Sequence, residues 1–112
     1  MKRFCLALDL VDDAALIAEY ENWHKPGQQL PGIPESISAA GILQMEIYRT
    51  GNRLFMIMET TDDFDPAEKA AMDAANPAVE QWEKLMWKFQ QPLPWAKEGE
   101  KWIPMTKIFQ LT

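Results

Sequence analysis

His24 is the only histidine in the chain and lies four residues after Tyr20. In a helix this spacing places the phenol and the imidazole on one face, one turn apart. Imidazole is the side chain whose unperturbed pKa lies closest to neutral pH, so His24 is the first candidate for proton transfer. Because a lone helical histidine also occurs as a packed or surface residue, spacing alone leaves both interpretations open.

The sequence contains no specific cofactor, metal or nucleophile motif. Its five glycines are scattered, so none forms a phosphate-binding loop. One histidine and one cysteine do not make a usual zinc site, and the acidic stretch at 62–65 lacks the spacing and glycine of a calcium loop. No nucleophile elbow is present. We therefore expect no cofactor and no metal.

Length and charge limit the functional classes. The 112 residues predict one domain, residues 1–112, and the net charge of −6 disfavours a nucleic-acid partner. No apolar run is long enough for a membrane span, so we expect no membrane partner. The single cysteine, Cys5, has no partner for an internal disulfide, which is typical of a cytoplasmic protein.

The first half of the chain predicts a strand, two helices and a hairpin. Asp12 and Asp13 offer an N-cap for the helix that carries His24, and Pro26 with Gly27 offers its stop. A glycine-containing connection joins the two hairpin strands. The predicted elements are a strand at 4–10, a helix from 14 to the stop at 26–27, a short helix at 35–40, and strands at 42–48 and 54–60.

The second half predicts two helices and a closing strand. Asp65-Pro66 and Asn76-Pro77 both have the form of an N-cap followed by a proline in the first helical turn. The second of these helices carries an apolar stripe with Trp82 in it. A final strand is predicted at 102–111.

The element order βαββαβ predicts an α+β fold of the ferredoxin-like type, with the helices on one face of the sheet. The other face would be bare in a monomer, and its apolar content therefore predicts a homodimer in which two sheets close on each other. Under the helices, Tyr20, His24 and Trp82 are expected to line a pocket. An aromatic wall with one or two polar donors suits an uncharged, partly apolar ligand such as a sugar.

Several segments resemble the L-rhamnose mutarotase family in matching order along nearly the whole chain. They are the residues at 20–24, at 41–48 and 54–59, at 76–82 with Met86, and the closing strand at 102–111. The resemblance implies a dimeric α/β barrel built from ferredoxin-like units. It also implies an isomerase that interconverts the α and β anomers of a 6-deoxyhexose.

The resemblance assigns roles residue by residue. The family's proton donor falls on His24, a sugar-binding tyrosine on Tyr20, and the first tryptophan of a sugar-binding pair on Trp82. Two positions depart from the family, because Glu83 stands in place of the second tryptophan and Met45 in place of a binding tyrosine in the hairpin. The loop after the histidine differs as well. These changes favour a related sugar as the substrate, with L-fucose first and L-rhamnose second.

In the implied mechanism His24 is the acid toward the ring oxygen, Tyr20 orients a hydroxyl and Trp82 stacks on the apolar face of the sugar. Glu83 would accept a hydrogen bond from a sugar hydroxyl or act as the complementary base. Each residue also has a plainer interpretation: Tyr20 and Trp82 as core residues, Met45 as a wall of the sheet, and Glu83 as a solvated helix residue.

Two other functional classes remain open. Dimeric ferredoxin-like domains include haem-degrading and cofactor-free oxygenases, in which His24 would be an axial ligand of iron. The third class is a non-catalytic small-ligand or interaction module. Fold alone does not separate the three classes. The residues shared with the mutarotases favour the isomerase.

Overall fold

An antiparallel sheet with helices against one face makes up the computed structural model, which describes residues 1–112. The strand order is β2-β3-β1-β4, with β5 also paired with β1. This is the predicted α+β, ferredoxin-like arrangement. In chain order the elements are β1 (Lys2–Leu10), α1 (Ala14–Trp23), α2 (Ile33–Ala39), β2 (Ile42–Thr50), β3 (Arg53–Thr60), α3 (Pro66–Ala74), α4 (Pro77–Trp87), β4 (Gln90–Gln91) and β5 (Ile103–Pro104).

The helix starts follow the predicted capping residues. The side chain of Asp13 accepts a hydrogen bond from the backbone N–H of Leu16 at 3.0 Å. Asp65 and Asn76 accept in the same way from residues two positions further on, at 2.9 and 3.0 Å. Each of these bonds satisfies a backbone donor that has no partner inside the helix. None of the helices is long and apolar enough to cross a membrane.

The alternating burial of side chains along strand β3 distinguishes the two faces of the sheet. Leu54, Met56 and Met58 are buried beneath the helices, whereas Phe55 and Ile57, which alternate with them, are only partly buried. Alternation follows from the pleat, and the β1 and β2 registers extend it across the sheet. The face away from the helices, called the outer face below, therefore carries apolar side chains, among them Phe55 and Ile57, that the single chain covers only in part.

The predicted closing strand at 102–111 is wrong in extent. Only Ile103–Pro104 pairs with β1, and the two-residue strand Gln90–Gln91, which the sequence did not predict, occupies the same edge further along β1. Pro92, Pro94 and Pro104 lack the N–H that a ladder needs, which accounts for an edge made of two short pieces. The chain at 92–102 forms a loop between them.

Two smaller differences concern local boundaries. The short helix begins at Ile33 rather than at residue 35, because a proline is tolerated in the first turn and Gly32 precedes it with a φ of 89°. Helix α1 ends at Trp23, before the proline and glycine that were expected to stop it. His24 is consequently the C-cap residue of α1.

The core consists of two neighbouring apolar clusters between the helices and the sheet. We call them the tyrosine cluster (Leu10, Tyr20, Leu54, Met86, Phe89) and the methionine cluster (Ile42, Met56, Met58, Phe64). Among the partly buried residues, Ile47 and Trp102 pack against both clusters. Of the predicted site residues, Tyr20 belongs to the tyrosine cluster, Trp82 packs against that cluster, and Met45 packs against the methionine cluster.

Candidate active site at the end of helix α1

The carboxyl end of α1 determines the position of His24. The last four carbonyl groups of a helix have no partner inside it and must find one elsewhere. Here the carbonyl of Glu21 accepts from the backbone N–H of His24, and that of Asn22 accepts from Lys25. The carbonyl of Trp23 accepts from Gln29 Nε2 at 2.8 Å. The carbonyls of Glu21, Asn22 and Trp23 thus accept hydrogen bonds from the turn that follows the helix.

The remaining carbonyl, that of Tyr20, lies 2.7 Å from Nδ1 of His24. A carbonyl oxygen only accepts hydrogen bonds, so Nδ1 is the protonated nitrogen and donates. In neutral His24 the other nitrogen, Nε2, therefore carries a free lone pair. Burial lowers the pKa of His24 from its ordinary value of 6.5, outweighing the opposite effect of the hydrogen bond to the Tyr20 carbonyl. Neutral imidazole with an unprotonated Nε2 is a proton acceptor at neutral pH.

Tyr20 lies beside this imidazole, as the four-residue spacing predicts. The two ring centroids are 4.3 Å apart with an interplanar angle of 35°. Tyr20 is only 3% exposed and belongs to the tyrosine cluster. Its hydroxyl accepts a hydrogen bond from Nε2 of the buried Gln90 at 3.3 Å. Burial raises the pKa of Tyr20 to about 12, so the phenol is neutral and serves as a hydrogen-bonding group rather than as a base.

Trp82, on α4, completes an aromatic group around His24. Its ring centroid lies 5.8 Å from that of His24 and 6.3 Å from that of Trp23, both in edge-to-face arrangements. Trp82 is partly buried and packs against the tyrosine cluster. Helices α1 and α4 therefore bring together three of the five predicted site residues, namely Tyr20, His24 and Trp82.

The other two predicted site residues lie elsewhere. Met45 faces the helices from β2 and packs against the methionine cluster, as expected for a wall residue. Glu83 follows Trp82 on α4, where its side chain is half exposed and its Oε2 lies 2.7 Å from Nζ of Lys101. Glu83 also lines a surface cavity of about 500 Å³. That cavity is not lined by Tyr20, His24 or Trp82.

Two glutamines near His24 were not predicted. Gln90 lies 70 residues from Tyr20 in the chain, and only the pairing of β4 with β1 brings it to the tyrosine hydroxyl. Gln29 donates to two carbonyls of the turn around His24, those of Trp23 and Lys25. A glutamine within a loop or at a strand edge carries no sequence signal for such contacts. No group of three or more His, Cys, Asp or Glu side chains is close enough together to hold a metal ion.

The sequence of this chain is similar to known proteins over its full length. It is 51% identical over 112 residues to the L-fucose mutarotase of Xanthomonas campestris, covering 100% of this chain and 90% of the relative. It is 37% identical over 114 residues to a UPF0734 protein of Dictyostelium discoideum, covering 98% of this chain and 90% of the relative.

Two solved structures share the fold. The L-rhamnose mutarotase of Formosa agariphila superposes with a TM-score of 0.70 at 18% identity, with both chains covered completely. The tetracenomycin F2 cyclase of Streptomyces glaucescens, a type II polyketide cyclase, gives a TM-score of 0.60 at 15% identity, again over 100% of both chains. Because these identities are low and the second protein is a cyclase, the superpositions bear on the fold and not on the reaction.

The decisive comparison is therefore with a family and not with a fold. The family model for L-rhamnose mutarotase matches residues 3–111, which include α1, α4 and every predicted site residue. This membership favours the isomerase over the haem-binding and non-catalytic alternatives. The chain belongs to the L-rhamnose mutarotase family and is a sugar isomerase of the aldose 1-epimerase type.

Proposed function

We propose that the protein is an L-fucose mutarotase that interconverts the α and β pyranose anomers of L-fucose, with L-rhamnose as a second substrate. The observation that carries the proposal is the 51% identity to the L-fucose mutarotase of Xanthomonas campestris over all 112 residues. The geometry around His24 supports the chemistry that such a reaction needs.

Mutarotation requires a proton to leave the anomeric hydroxyl and a proton to reach the ring oxygen. The bond between the anomeric carbon and the ring oxygen breaks, and an open-chain aldehyde forms. After rotation about the adjacent carbon–carbon bond, the ring closes on the other face of the carbonyl. The aldehyde is an isomer of the pyranose, so the reaction consumes no co-reactant.

His24 acts through Nε2, because Nδ1 is engaged by the carbonyl of Tyr20. The anomeric hydroxyl and the ring oxygen are bonded to the same carbon, so one nitrogen atom can reach both. Neutral His24 accepts the proton of the anomeric hydroxyl, and the resulting imidazolium delivers it to the ring oxygen as the ring bond breaks. Ring closure repeats these transfers in the opposite order. Positioned proton transfer of this kind contributes a factor of about 10²–10⁴.

The aromatic neighbours orient the sugar. Trp82 presents its ring beside the imidazole and stacks on the apolar face of the 6-deoxy sugar. The hydroxyl of Tyr20, held by Gln90, binds a sugar hydroxyl and does not itself ionise, since burial raises the pKa of this phenol to about 12. Met45, which packs against the neighbouring methionine cluster, serves as a wall residue of the sheet and makes no contact that fixes the imidazole.

We also propose that the enzyme is a homodimer joined through the outer face of the sheet. Cys5, Ala7, Phe55, Ile57 and Ile103 share that face by register. In addition, the chain beyond β5 exposes Ile108, Phe109 and Leu111 by 93%, 75% and 85%. Apolar side chains left exposed in this way are typical of an interface.

Saturation-transfer NMR of the two sugars near neutral pH tests the proposed activity. We expect the enzyme to accelerate anomer exchange of L-fucose more than that of L-rhamnose. A His24→Asn variant is the matched control, because it keeps a donor for the Tyr20 carbonyl but has no Nε2. Absence of acceleration with both sugars would contradict the proposal, and faster exchange of L-rhamnose would reverse the substrate order.

A further inference from the structure

Trp102 is not among the predicted site residues, although its side chain packs against the core. It ends the loop at 92–102, just before β5, and its side chain is partly buried. It packs against the tyrosine cluster and also against the methionine cluster. Trp82 packs against the first of these clusters, and Met45 against the second. Trp102 therefore lies between the two groups of predicted sugar-site residues.

The residue before Trp102 fastens the loop to α4. Nζ of Lys101 lies 2.7 Å from Oε2 of Glu83 and 4.6 Å from the ring centroid of Trp87. Both partners belong to α4, the helix that carries Trp82. The ion pair and the cation–π contact together hold the end of the loop against this helix. We call this arrangement of Lys101 with Glu83 the clasp.

We propose that Trp102 forms a second aromatic wall of the sugar site, recognising the apolar C–H face and the methyl group of a 6-deoxyhexose, and that the clasp positions it. The inference rests on the proposed mutarotase function. It accounts for the departure at Glu83, where the family resemblance leads one to expect a second tryptophan. In this arrangement Glu83 acts on the sugar through Lys101 and Trp102 rather than by direct contact.

The expected effects differ between the wall and the clasp. Replacing Trp102 by leucine keeps an apolar side chain but removes the aromatic face, and we expect KM to rise about tenfold with a smaller change in kcat. Lys101 and Glu83 are partly exposed, and exposed ion pairs contribute little on their own. Lys101→Met and Glu83→Gln should therefore raise KM only about two- to fivefold.

The test measures kcat and KM for L-fucose by saturation-transfer NMR on the full-length enzyme. The variants are Trp102→Leu, Trp102→Phe, Lys101→Met, Glu83→Gln and the reciprocal exchange Glu83→Lys with Lys101→Glu. We expect the phenylalanine variant to retain a KM closer to that of the wild type, and the reciprocal exchange to restore part of the loss. If Trp102→Leu does not fold, Trp102→Phe and the clasp variants still decide the matter.

The neighbouring ion pair of Glu80 with Lys84 supplies the matched control. It lies on the same helix, spans 3.4 Å and is exposed on both sides. Glu80→Gln should leave KM unchanged. An unchanged KM in the Trp102 variants would contradict the role of Trp102 as a wall of the sugar site. Failure of the reciprocal exchange to restore KM would contradict the role of the clasp in positioning Trp102. If the wild-type enzyme itself does not accelerate exchange, the proposed function fails first, and this inference fails with it.

Discussion

Nδ1 of His24 lies 2.7 Å from the backbone carbonyl oxygen of Tyr20, four residues earlier in the chain. In an uninterrupted helix that carbonyl would accept the backbone N–H of residue 24. Because α1 ends at Trp23, the backbone N–H of His24 turns to the carbonyl of Glu21 instead. The side chain of His24 takes over the vacated carbonyl, and the end of the helix thereby determines which imidazole nitrogen is free for chemistry.

The first prediction concerns the different roles of the two imidazole nitrogens of His24. In His24→Asn the amide N–H₂ can replace Nδ1 as donor to Tyr20, but no group replaces Nε2. We expect kcat for anomer exchange to fall by a factor of about 10²–10⁴. Thermal unfolding should change little. A folded variant that exchanges anomers at the wild-type rate would remove His24 from the mechanism.

The second prediction concerns the pH dependence of activity. Burial lowers the pKa of His24 below its ordinary value of 6.5, so the neutral, proton-accepting form prevails at neutral pH. Activity should be constant from neutral to mildly alkaline pH and should decline only as the pH falls below 6.5, through the lowered pKa. The pH profile of kcat/KM measures this pKa in the free enzyme. If kcat/KM already declined on acidification at a pH above 6.5, the environment of His24 would favour its charged form.

The same shift gives a third prediction, for stability. As the pH falls through 6.5, His24 of the unfolded chain binds a proton while that of the folded enzyme stays neutral. The unfolded state then binds more protons, so the contribution of His24 to the free energy of unfolding decreases on acidification. The decrease begins near 6.5 and is complete below the lowered pKa. Urea unfolding across this range should show a weaker pH dependence in His24→Asn than in the wild type.

The sequence predicted the parts of this molecule that local chemistry controls. The helices are capped by Asp13, Asp65 and Asn76, whose side chains accept hydrogen bonds from backbone N–H groups two or three residues further on. Contacts over so short a separation can be predicted from the sequence. The four-residue spacing placed Tyr20 against His24 for the same reason. Contacts between distant segments were not predictable in this way, since the sheet edge at β4 and β5 and the bond from Gln90 depend on tertiary pairing.

The fourth prediction concerns the bond from Gln90 to the hydroxyl of Tyr20. Gln90→Met preserves side-chain length but leaves the buried hydroxyl without its donor, so we expect the free energy of unfolding to fall by about 1 kcal/mol. KM for L-fucose should rise in both Gln90→Met and Tyr20→Phe. If the two residues act as one unit, the double variant should have nearly the KM of Tyr20→Phe alone.

Gln91→Met is the control for Gln90→Met, because Gln91 is the adjacent residue of β4 and is paired with Asp9 in the sheet. It should leave KM unchanged. Additive effects of Gln90→Met and Tyr20→Phe on KM would show that Gln90 does not act through the hydroxyl of Tyr20.

The fifth prediction concerns the outer face of the sheet, where Ile57 lies opposite Cys5 on β1 and is partly buried in the single chain. A homodimer would bury Ile57 between two sheets, so the lysine of Ile57→Lys would place a charge in an apolar interface, at a high cost in free energy. Analytical ultracentrifugation should give a mass of twice 12.9 kDa for the wild type and of one chain for the variant. Met72→Lys, at an exposed position of α3, should remain dimeric. A wild-type enzyme that sediments as a monomer at all concentrations would contradict the proposed assembly, whereas a dimeric Ile57→Lys would place the interface on another surface.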